Sequence, residues 1–295
     1  MRVLVTGAGG FLGGHIARRL AEAGFEVIAL TRKTSVEPPA LVAAARRFTV
    51  TSADLTSGSL PTSINAVVHA AATSAWTGIS VEQMVFDNVL ATQAVVRHAQ
   101  AEKAAGIVFL SSVSAFGTIE TPVLTESEPA VDVGPYGLTK LLGEQLLKDI
   151  SNRLPSLSIR LPAVVGRGSK RNWPSECLRK LTAGEPLEVF NPDTPFNNVV
   201  HERDVAALVI NALQCGLFGA EIVLAGSAGK TTIARAIEVL RESTSSKSVV
   251  NVVKQNRAGF LLDVSKAIRL FGFAPMDVET TLHQFVMDNV RSNRH

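Results

Sequence analysis

The 295-residue sequence has few cysteines, few aromatic residues and little net charge. Its two cysteines, Cys177 and Cys215, cannot build a disulfide framework or a cysteine-rich metal site, and its six histidines show no metal-ligand spacing. The formal charge of +3 argues against nucleic acid as a partner. No apolar stretch reaches the roughly 18 residues that span a bilayer. These absences predict a reduced, metal-free cytoplasmic protein that binds neither nucleic acid nor membrane.

The sequence contains a single tyrosine, Tyr136, which stands four positions before Lys140. In a helix these two positions lie on one face, about a turn apart, so both side chains can reach the same small molecule. The usual pKa of a phenol is about 10. A nearby cation favours the ionised form and so lowers that pKa, which allows the phenol to act as an acid and a base near neutral pH. The pair is a candidate acid/base centre, although a surface lysine near a half-buried aromatic has the same spacing.

The N-terminal segment has the order of a dinucleotide-binding βα unit. Residues 1–6 are a short β-branched run, and Gly7, Gly10 and Gly13 follow at intervals of three before an amphipathic stretch that reaches Leu20. Glycine permits a tight turn and close approach of the backbone to phosphate, while the helix N-terminus supplies N–H groups and the positive end of its dipole. An ordinary glycine-rich turn is the alternative.

Two cations follow the second predicted strand, where the cofactor preference is decided. Residues 25–30 form that strand, and Arg32 and Lys33 come just after it. An acidic residue here binds the ribose hydroxyls of NAD, whereas arginine accommodates the 2′-phosphate of NADP. The sequence therefore favours NADP over NAD, the alternative being that both cations are merely solvated.

Strands that alternate with helical segments predict an α/β fold with a doubly wound parallel sheet, the Rossmann architecture. Ser111 and Ser112 follow one of these strands at the sheet edge where ligands of such folds bind. A serine there can bind a substrate oxygen beside the tyrosine, or it can simply cap the next turn. A helix is predicted over residues 82–101. The predicted strands are residues 1–6, 25–30, 47–50, 66–72 and 106–110.

Two further features imitate functional motifs. Gly229-Lys230-Thr231 is similar to a nucleotide-binding loop, but Leu224 stands where that motif requires glycine. Thr231 or Thr232 is therefore interpreted as the cap of a helix over residues 233–241. His201 is interpreted as a hydrogen-bonded structural residue.

The order of the motifs resembles the extended short-chain dehydrogenase/reductase superfamily, and within it the NAD-dependent epimerase/dehydratase family. The resemblance implies a Rossmann core over residues 1–162, completed by about 201–226. It also implies a smaller C-terminal substrate-binding lobe made of residues 163–200 and 227–295. The motifs are residues 6–13, Asp54-Leu55, His69-Ala70-Ala71, Asn88, Ser111-Ser112, Tyr136-x-x-x-Lys140, Arg160-Leu161-Pro162, residues 200–206 and residues 263–275.

The resemblance also implies roles for single positions. Tyr136 would be the acid/base, Lys140 would lower its pKa and hold the nicotinamide ribose, and Ser112 would orient the reacting oxygen. A homodimer through the helices that carry Asn88 and Tyr136 is expected. The cofactor-binding candidates are Gly7, Gly10, Phe11, Leu12, Gly13, Arg32, Lys33, Asp54, Leu55, Ala70, Ala71, Asn88, Tyr136 and Lys140. The candidate substrate contacts are Thr73, Ser112, Arg171 and Arg257.

Departures from the family pattern bear on the reaction. Val113 and Ser114 stand where the family's dehydratases carry acidic residues, which argues against dehydration because elimination of water needs an extra acid and base. Ala163 and Phe260 replace an asparagine and an aspartate that are typical of nucleotide-sugar enzymes. The basic run 167–171 is either a phosphate or carboxylate site or a solvated loop.

Together these features predict an NAD(P)-dependent epimerase or reductase that transfers hydride at a carbonyl or carbinol carbon of a sugar-nucleotide-like or other small substrate. An NADPH-dependent carbonyl reductase of a non-sugar substrate is one alternative, and a non-catalytic dinucleotide sensor is another. Ser112, Tyr136 and Lys140 would serve epimerisation and net reduction equally, so the sequence does not separate these two reactions.

Overall fold

The fold is described by a computed structural model, which covers residues 1–31, 48–52, 54–56, 58–74, 78–253 and 259–290. Strands and helices alternate through most of this part of the chain. The strands are β1 (Arg2–Thr6), β2 (Glu26–Thr31), β3 (Phe48–Ser52), β4 (Ala66–His69), β5 (Ile107–Ser112), β6 (Val123–Leu124), β7 (Ser156–Leu161), β8 (Ala163–Val165), β9 (Leu187–Phe190), β10 (Pro195–Phe196), β11 (Val199–His201), β12 (Ala220–Leu224), β13 (Thr231–Thr232), β14 (Val250–Val253) and β15 (Leu261–Leu262). The helices are α1 (Phe11–Glu22), α2 (Val81–Val85), α3 (Ala91–Ala101), α4 (Pro135–Lys148), α5 (Trp173–Ala183), α6 (Glu202–Cys215), α7 (Ile233–Thr244), α8 (Ser265–Phe271) and α9 (Val278–Val290).

Seven of these strands form one parallel sheet, in the order β3, β2, β1, β4, β5, β7 and β12. In β1, Val5 pairs with Ala29 of β2 on one side and with Val68 of β4 on the other. The strand order reverses direction at β1, and ligands of open α/β sheets bind outside the strand carboxyl ends at such a point. The predicted doubly wound parallel sheet is confirmed.

Helices cover both faces of the sheet because successive strand residues point to opposite sides. Val3 and Val5 face the layer in which α1 packs against α6, whereas Leu4 faces the layer that contains α3 and α4. Full burial of one aliphatic side chain stabilises the fold by about 1.5–3 kcal/mol relative to exposure. Apolar helix side chains therefore pack against both faces of the strands that the sequence predicts.

C-terminal segments build a second apolar core. Side chains of α5, α7 and α9, among them Leu181, Leu240 and Phe285, pack together there. Helix α8 instead contributes Phe271 to the core around the sheet and packs against α6. The division of the chain into a Rossmann core and a substrate lobe stays a prediction. No helix in the described ranges has the length and apolar character needed to cross a membrane.

Two predicted helices differ in detail from the observed ones. The helix predicted over residues 82–101 is interrupted by a π turn, Phe86–Leu90, which separates α2 from α3. Such turns occur often at functional sites. The predicted cap of α7 is confirmed, since the Thr232 side chain accepts a hydrogen bond from the Arg235 backbone nitrogen. Helix α7 itself ends at Thr244, three residues later than predicted.

Candidate active site

The glycine turn between β1 and α1 leaves no room for a side chain at Gly7 or at Gly13. Gly7 has a φ of 67°, and a Cβ on it would lie 2.6 Å from the Ala71 backbone nitrogen. A Cβ on Gly13 would lie 2.3 Å from the Gly7 carbonyl oxygen. Gly10 caps α1 without a side-chain hydrogen bond, and the first turn of α1 carries no acidic residue. The bare N–H groups at the positive end of this helix fit the pyrophosphate of a dinucleotide.

Two cavities adjoin at this turn, along the carboxyl ends of the strands. The first has a volume of about 580 Å³ and is bordered by Asp54 and Leu55. The second has a volume of about 830 Å³ and contains Tyr136. Gly7 and Gly10 border both cavities, which therefore form one continuous crevice.

Most of the site residues predicted from the sequence line this crevice. Thr73 borders the first cavity, not the one that contains Tyr136, and its hydroxyl donates a hydrogen bond to Asp87. Arg32, Lys33 and Arg257 lie outside the described residues. The predicted site residues that line one or both cavities are Gly7, Gly10, Phe11, Leu12, Gly13, Asp54, Leu55, Ala70, Ala71, Thr73, Ser112, Tyr136, Lys140 and Arg171.

Tyr136 and Lys140 lie on the first turns of α4, and Ser112 ends β5. The Lys140 ammonium lies 5.7 Å from the Tyr136 ring centroid and donates a hydrogen bond of 2.8 Å to the Leu110 carbonyl. Ser112 Oγ accepts a hydrogen bond of 3.1 Å from the Ser114 backbone nitrogen and thereby caps a 3-10 turn, Val113–Phe116. Ser112 thus has the capping role that the sequence left open, and its hydroxyl can still donate a hydrogen bond to a ligand.

Burial shifts the pKa of both members of the tyrosine–lysine pair. It raises the pKa of the Tyr136 phenol to about 12. It lowers the pKa of the Lys140 ammonium to about 8, although the Glu144 carboxylate acts in the opposite direction. Near neutral pH the phenol is therefore protonated and the ammonium is largely charged. The pKa of Tyr136 moves opposite to the direction that the lysine alone predicts, because desolvation of the phenolate outweighs the attraction of the cation.

A buried histidine connects the strand before the glycine turn to α3. His69 Nδ1 lies 2.7 Å from Thr6 Oγ1, and Nε2 lies 3.0 Å from Thr92 Oγ1. Burial and the nearby Lys140 lower the pKa of His69 to about 3, so the ring is neutral. The Thr92 hydroxyl donates to the Asn88 carbonyl at 2.6 Å and must accept from His69. The histidine proton therefore lies on Nε2.

Asn88, in the π turn, continues this chain of hydrogen bonds to α4. Its Oδ1 accepts from the Thr73 backbone nitrogen at 2.7 Å, and its Nδ2 donates to Thr139 Oγ1 at 3.0 Å. Thr139 in turn donates to the Tyr136 carbonyl at 2.7 Å. The sequence predicts that Asn88 supports the lysine end of the site. The observed contact is with the residue before Lys140.

A buried ion pair beside the site was not predicted from the sequence. Glu144, one turn after Lys140, accepts hydrogen bonds of 2.7 and 3.0 Å from Arg160 on β7 and a third, of 2.5 Å, from the Ser111 hydroxyl. The Arg160 guanidinium also lies 4.2 Å from the Phe116 ring centroid. The spacing of four residues from Lys140 is the signal that could have assigned Glu144 to the same helix face.

Three side chains of the kinds that bind metal ions lie close together outside the lining of this crevice. His201, Glu202 and Asp288 place one donor atom each within 4.8 Å of one another, a grouping that the sequence does not reveal because Asp288 lies on α9. His201 Nδ1 accepts the Arg203 backbone N–H, so Nε2 carries the proton and faces Asp288 at 3.1 Å. A protonated nitrogen is not a metal ligand. The histidine connects α6 to α9, which agrees with its predicted structural role.

Comparison with known proteins agrees with this geometry. The model of the NAD dependent epimerase/dehydratase family matches residues 3–225. The putative UDP-glucose 4-epimerase of Methanocaldococcus jannaschii is 26% identical, and the match covers 99% of each chain. The dTDP-6-deoxy-L-talose 4-dehydrogenase (NAD(P)(+)) of Kitasatospora kifunensis is 30% identical over 82% of this chain and 79% of its own. The crystal structure of UDP-glucuronic acid 4-epimerase from Bacillus cereus in complex with NAD superposes with a TM-score of 0.85 at 22% identity, covering 100% of both chains.

The doubly wound sheet and its glycine-lined crevice define an α/β protein of the Rossmann type, and the family match places it among the extended short-chain dehydrogenases/reductases. The family match extends over well more than half of the sequence, so the chain belongs to the NAD-dependent epimerase/dehydratase family. It is an enzyme of the NAD(P)-dependent epimerase and oxidoreductase class. The family resemblance found in the sequence is confirmed.

Proposed function

We propose that this enzyme is an NAD(P)-dependent epimerase that acts on a carbinol carbon of a sugar nucleotide, with Ser112, Tyr136 and Lys140 as its catalytic residues. One observation carries the proposal. All three side chains line a single cavity of about 830 Å³ that adjoins the glycine turn. The similarity to a putative UDP-glucose 4-epimerase along nearly the whole chain supports a sugar-nucleotide substrate.

The crevice residues would hold the cofactor. The N–H groups at the start of α1 would bind its pyrophosphate over Gly7, Gly10 and Gly13, and Asp54 and Leu55 would contact its adenine. A bound nicotinamide supplies the hydride acceptor and donor that protein side chains lack. Asp54 is itself fixed, because its carboxylate accepts hydrogen bonds from the Thr56 backbone nitrogen and hydroxyl.

Tyr136 would move the proton of the reacting oxygen. Its phenol is protonated near neutral pH because burial raises its pKa, so it can donate a proton to a substrate carbonyl. To accept a proton from a hydroxyl it must first ionise, and the Lys140 charge favours that form. Ser112 would donate a hydrogen bond to the same substrate oxygen. Its position is fixed by the bond that it accepts from the Ser114 backbone.

Two cations border the same cavity and would bind the diphosphate of the substrate. Lys170 and Arg171 both line it, and neither side chain has a hydrogen bond or an ion pair within the described parts of the chain. Guanidinium and ammonium groups are the usual protein ligands of phosphate oxygens. The segments 163–200 and 227–295 are the proposed substrate-binding lobe, to which these two residues belong.

A net dehydrogenase or reductase is the second candidate. It is favoured by the 30% identity with dTDP-6-deoxy-L-talose 4-dehydrogenase. The two reactions use the same three catalytic residues and differ in whether the oxidised intermediate is reduced again before release. The geometry of Ser112, Tyr136 and Lys140 is compatible with both.

An assay that follows products and cofactor together separates these candidates. Purified enzyme is incubated with UDP-glucose, UDP-galactose or a dTDP-4-ketosugar, with NAD or NADP in parallel, and sugars are identified by NMR. We expect the epimer to form without net change in reduced nicotinamide, and we expect tighter binding of NADP because Arg32 and Lys33 follow β2. Stoichiometric change in reduced cofactor would instead identify a dehydrogenase. Absence of affinity for both nucleotides would contradict the proposal.

We also propose a homodimer in which α2, α3 and α4 of two copies pack together. Helix α4 contacts both α2 and α3 within the chain, yet several large apolar side chains on α2, on α4 and on the π turn are exposed. Light scattering should give twice the monomer mass, and Leu142→Glu should shift the protein towards monomer, whereas a monomeric wild type would contradict the proposal. The exposed large apolar side chains on α2, the π turn and α4 are Val81, Val85, Phe86, Leu90, Leu138 and Leu142.

A further inference from the structure

The lining of the cavity that contains Tyr136 includes the acidic residue Asp132. It stands four residues before Tyr136 in the chain and lines the cavity of about 830 Å³. The residue is exposed, and its side chain has no hydrogen bond or ion pair with any described residue. Its carboxylate oxygens are therefore available to a ligand that occupies the cavity.

The backbone that carries Asp132 is held firmly in place. The Thr118 backbone nitrogen donates a hydrogen bond of 2.7 Å to the Val131 carbonyl. A Cβ on Gly117 would lie 2.1 Å from that same carbonyl oxygen, so the two segments are in close contact. Asp132 has a φ of 48°, in the left-handed region that aspartate and asparagine tolerate better than most residues. The backbone of Asp132 is therefore fixed relative to Gly117 and Thr118, which line the same cavity.

Charge is distributed unevenly over the lining of this cavity. Among the described lining residues Asp132 is the single anionic one, and the cations are Lys140, Lys170 and Arg171. Lys140 is buried and already donates a hydrogen bond to the Leu110 carbonyl. The other residues that line the cavity are neutral, and the hydroxyl-bearing Ser112, Ser114 and Thr118 are among them.

We propose that Asp132 is a specificity-determining residue that selects a sugar nucleotide with an uncharged sugar and rejects one whose sugar carries a carboxylate. A carboxylate accepts strong hydrogen bonds from sugar hydroxyls, and it repels a second carboxylate in the same cavity. The inference rests on the proposed function and names its substrate class. Lys170 and Arg171 bind the diphosphate, which both kinds of sugar nucleotide share, so the distinction is made at Asp132.

The test compares wild type with Asp132→Asn. Asparagine keeps the size of the side chain and tolerates the left-handed backbone, so charge is the main property that changes. The ratio of kcat/KM for UDP-glucose to that for UDP-glucuronate is measured for both proteins. We expect wild type to favour UDP-glucose and the ratio to fall about tenfold in the variant, which corresponds to about 1.4 kcal/mol.

Asp149→Asn is the matched control. Asp149 caps the far end of α4, is exposed, and lies outside the lining of both cavities of the crevice. It undergoes the same chemical change, and its ratio should equal that of wild type. If Asp132→Asn also leaves the ratio unchanged, or if wild type favours UDP-glucuronate, the inference is overturned.

Calorimetry separates failure of this inference from failure of the proposed function. Dissociation constants of the two nucleotides are measured for wild type and Asp132→Asn in the presence of saturating cofactor. A weaker preference for UDP-glucose in the variant supports the role of Asp132 even where turnover is slow. Wild-type turnover with an equal preference in both proteins leaves the proposed function standing and removes the role of Asp132. Failure of wild type to bind either sugar nucleotide overturns both.

Discussion

Replacing Tyr136 with phenylalanine should lower kcat about 10²- to 10⁴-fold, the usual contribution of a positioned general acid/base. The substitution removes one oxygen and keeps the ring beside which the Lys140 ammonium lies at 5.7 Å. Fold and cofactor affinity should therefore change little. The measurements are kcat from epimer formation and the dissociation constant of the nucleotide for wild type and variant.

One control variant makes this result specific. Thr118→Val removes a hydroxyl from the same cavity and should lower kcat far less, since that hydroxyl has no assigned part in proton transfer.

Because Tyr136 is the only tyrosine, an ultraviolet titration of phenolate reports this residue alone in wild type. Burial raises its folded pKa to about 12 from an ordinary value of about 10. Its contribution to stability is thus complete below pH 10 and is lost as pH rises towards 12. Unchanged kcat in Tyr136→Phe would remove Tyr136 from the mechanism, whereas a sensor would bind the nucleotide and show no turnover even as wild type.

The candidate site residues whose positions the sequence predicts best are those whose pattern lies within one element and its flanks. Gly7, Gly10 and Gly13 follow a buried strand directly, and the structure shows that Cβ atoms on Gly7 and Gly13 would contact backbone. Tyr136 and Lys140 share a helix face by spacing alone. Their placement in one crevice follows from sheet topology, because parallel strands bring their carboxyl ends to the same edge.

The features of the site that the sequence does not predict depend on contacts between distant segments. Glu144 and Arg160 are polar residues whose pairing requires β7 to lie beside α4. The raised pKa of Tyr136 reflects burial, which only the packed fold determines. Asp132 sits in an irregular segment with a left-handed φ, where neither helical nor strand periodicity applies. Local spacing therefore predicts the proposed reacting groups, whereas the burial and the neighbouring charges that shift their pKa values are known only from the structure.

Replacing Glu144 with alanine should lower the free energy of unfolding by about 3–5 kcal/mol, because removing one partner leaves the Arg160 charge buried without compensation. The Ser111 hydroxyl would also lose the acceptor that it contacts at 2.5 Å. Urea denaturation of wild type and variant measures the difference. The control is Glu176→Ala, which breaks an ion pair with Arg179 on the surface and should change stability little, since exposed pairs contribute little.

A double variant distinguishes the buried pair from mere loss of side-chain volume. Glu144→Leu with Arg160→Met replaces both charges by apolar groups of similar size and should recover most of the lost stability, as apolar replacements of buried pairs often do.

The pair should still matter for the reaction, because the Glu144 carboxylate raises the pKa of Lys140 against the effect of burial. Without that carboxylate the pKa of Lys140 falls further below its value of about 8, and the lysine loses its charge at lower pH. The basic limb of the kcat/KM profile should therefore shift to lower pH in the stable double variant. An unshifted limb would show that the ionisation of Lys140 does not limit activity.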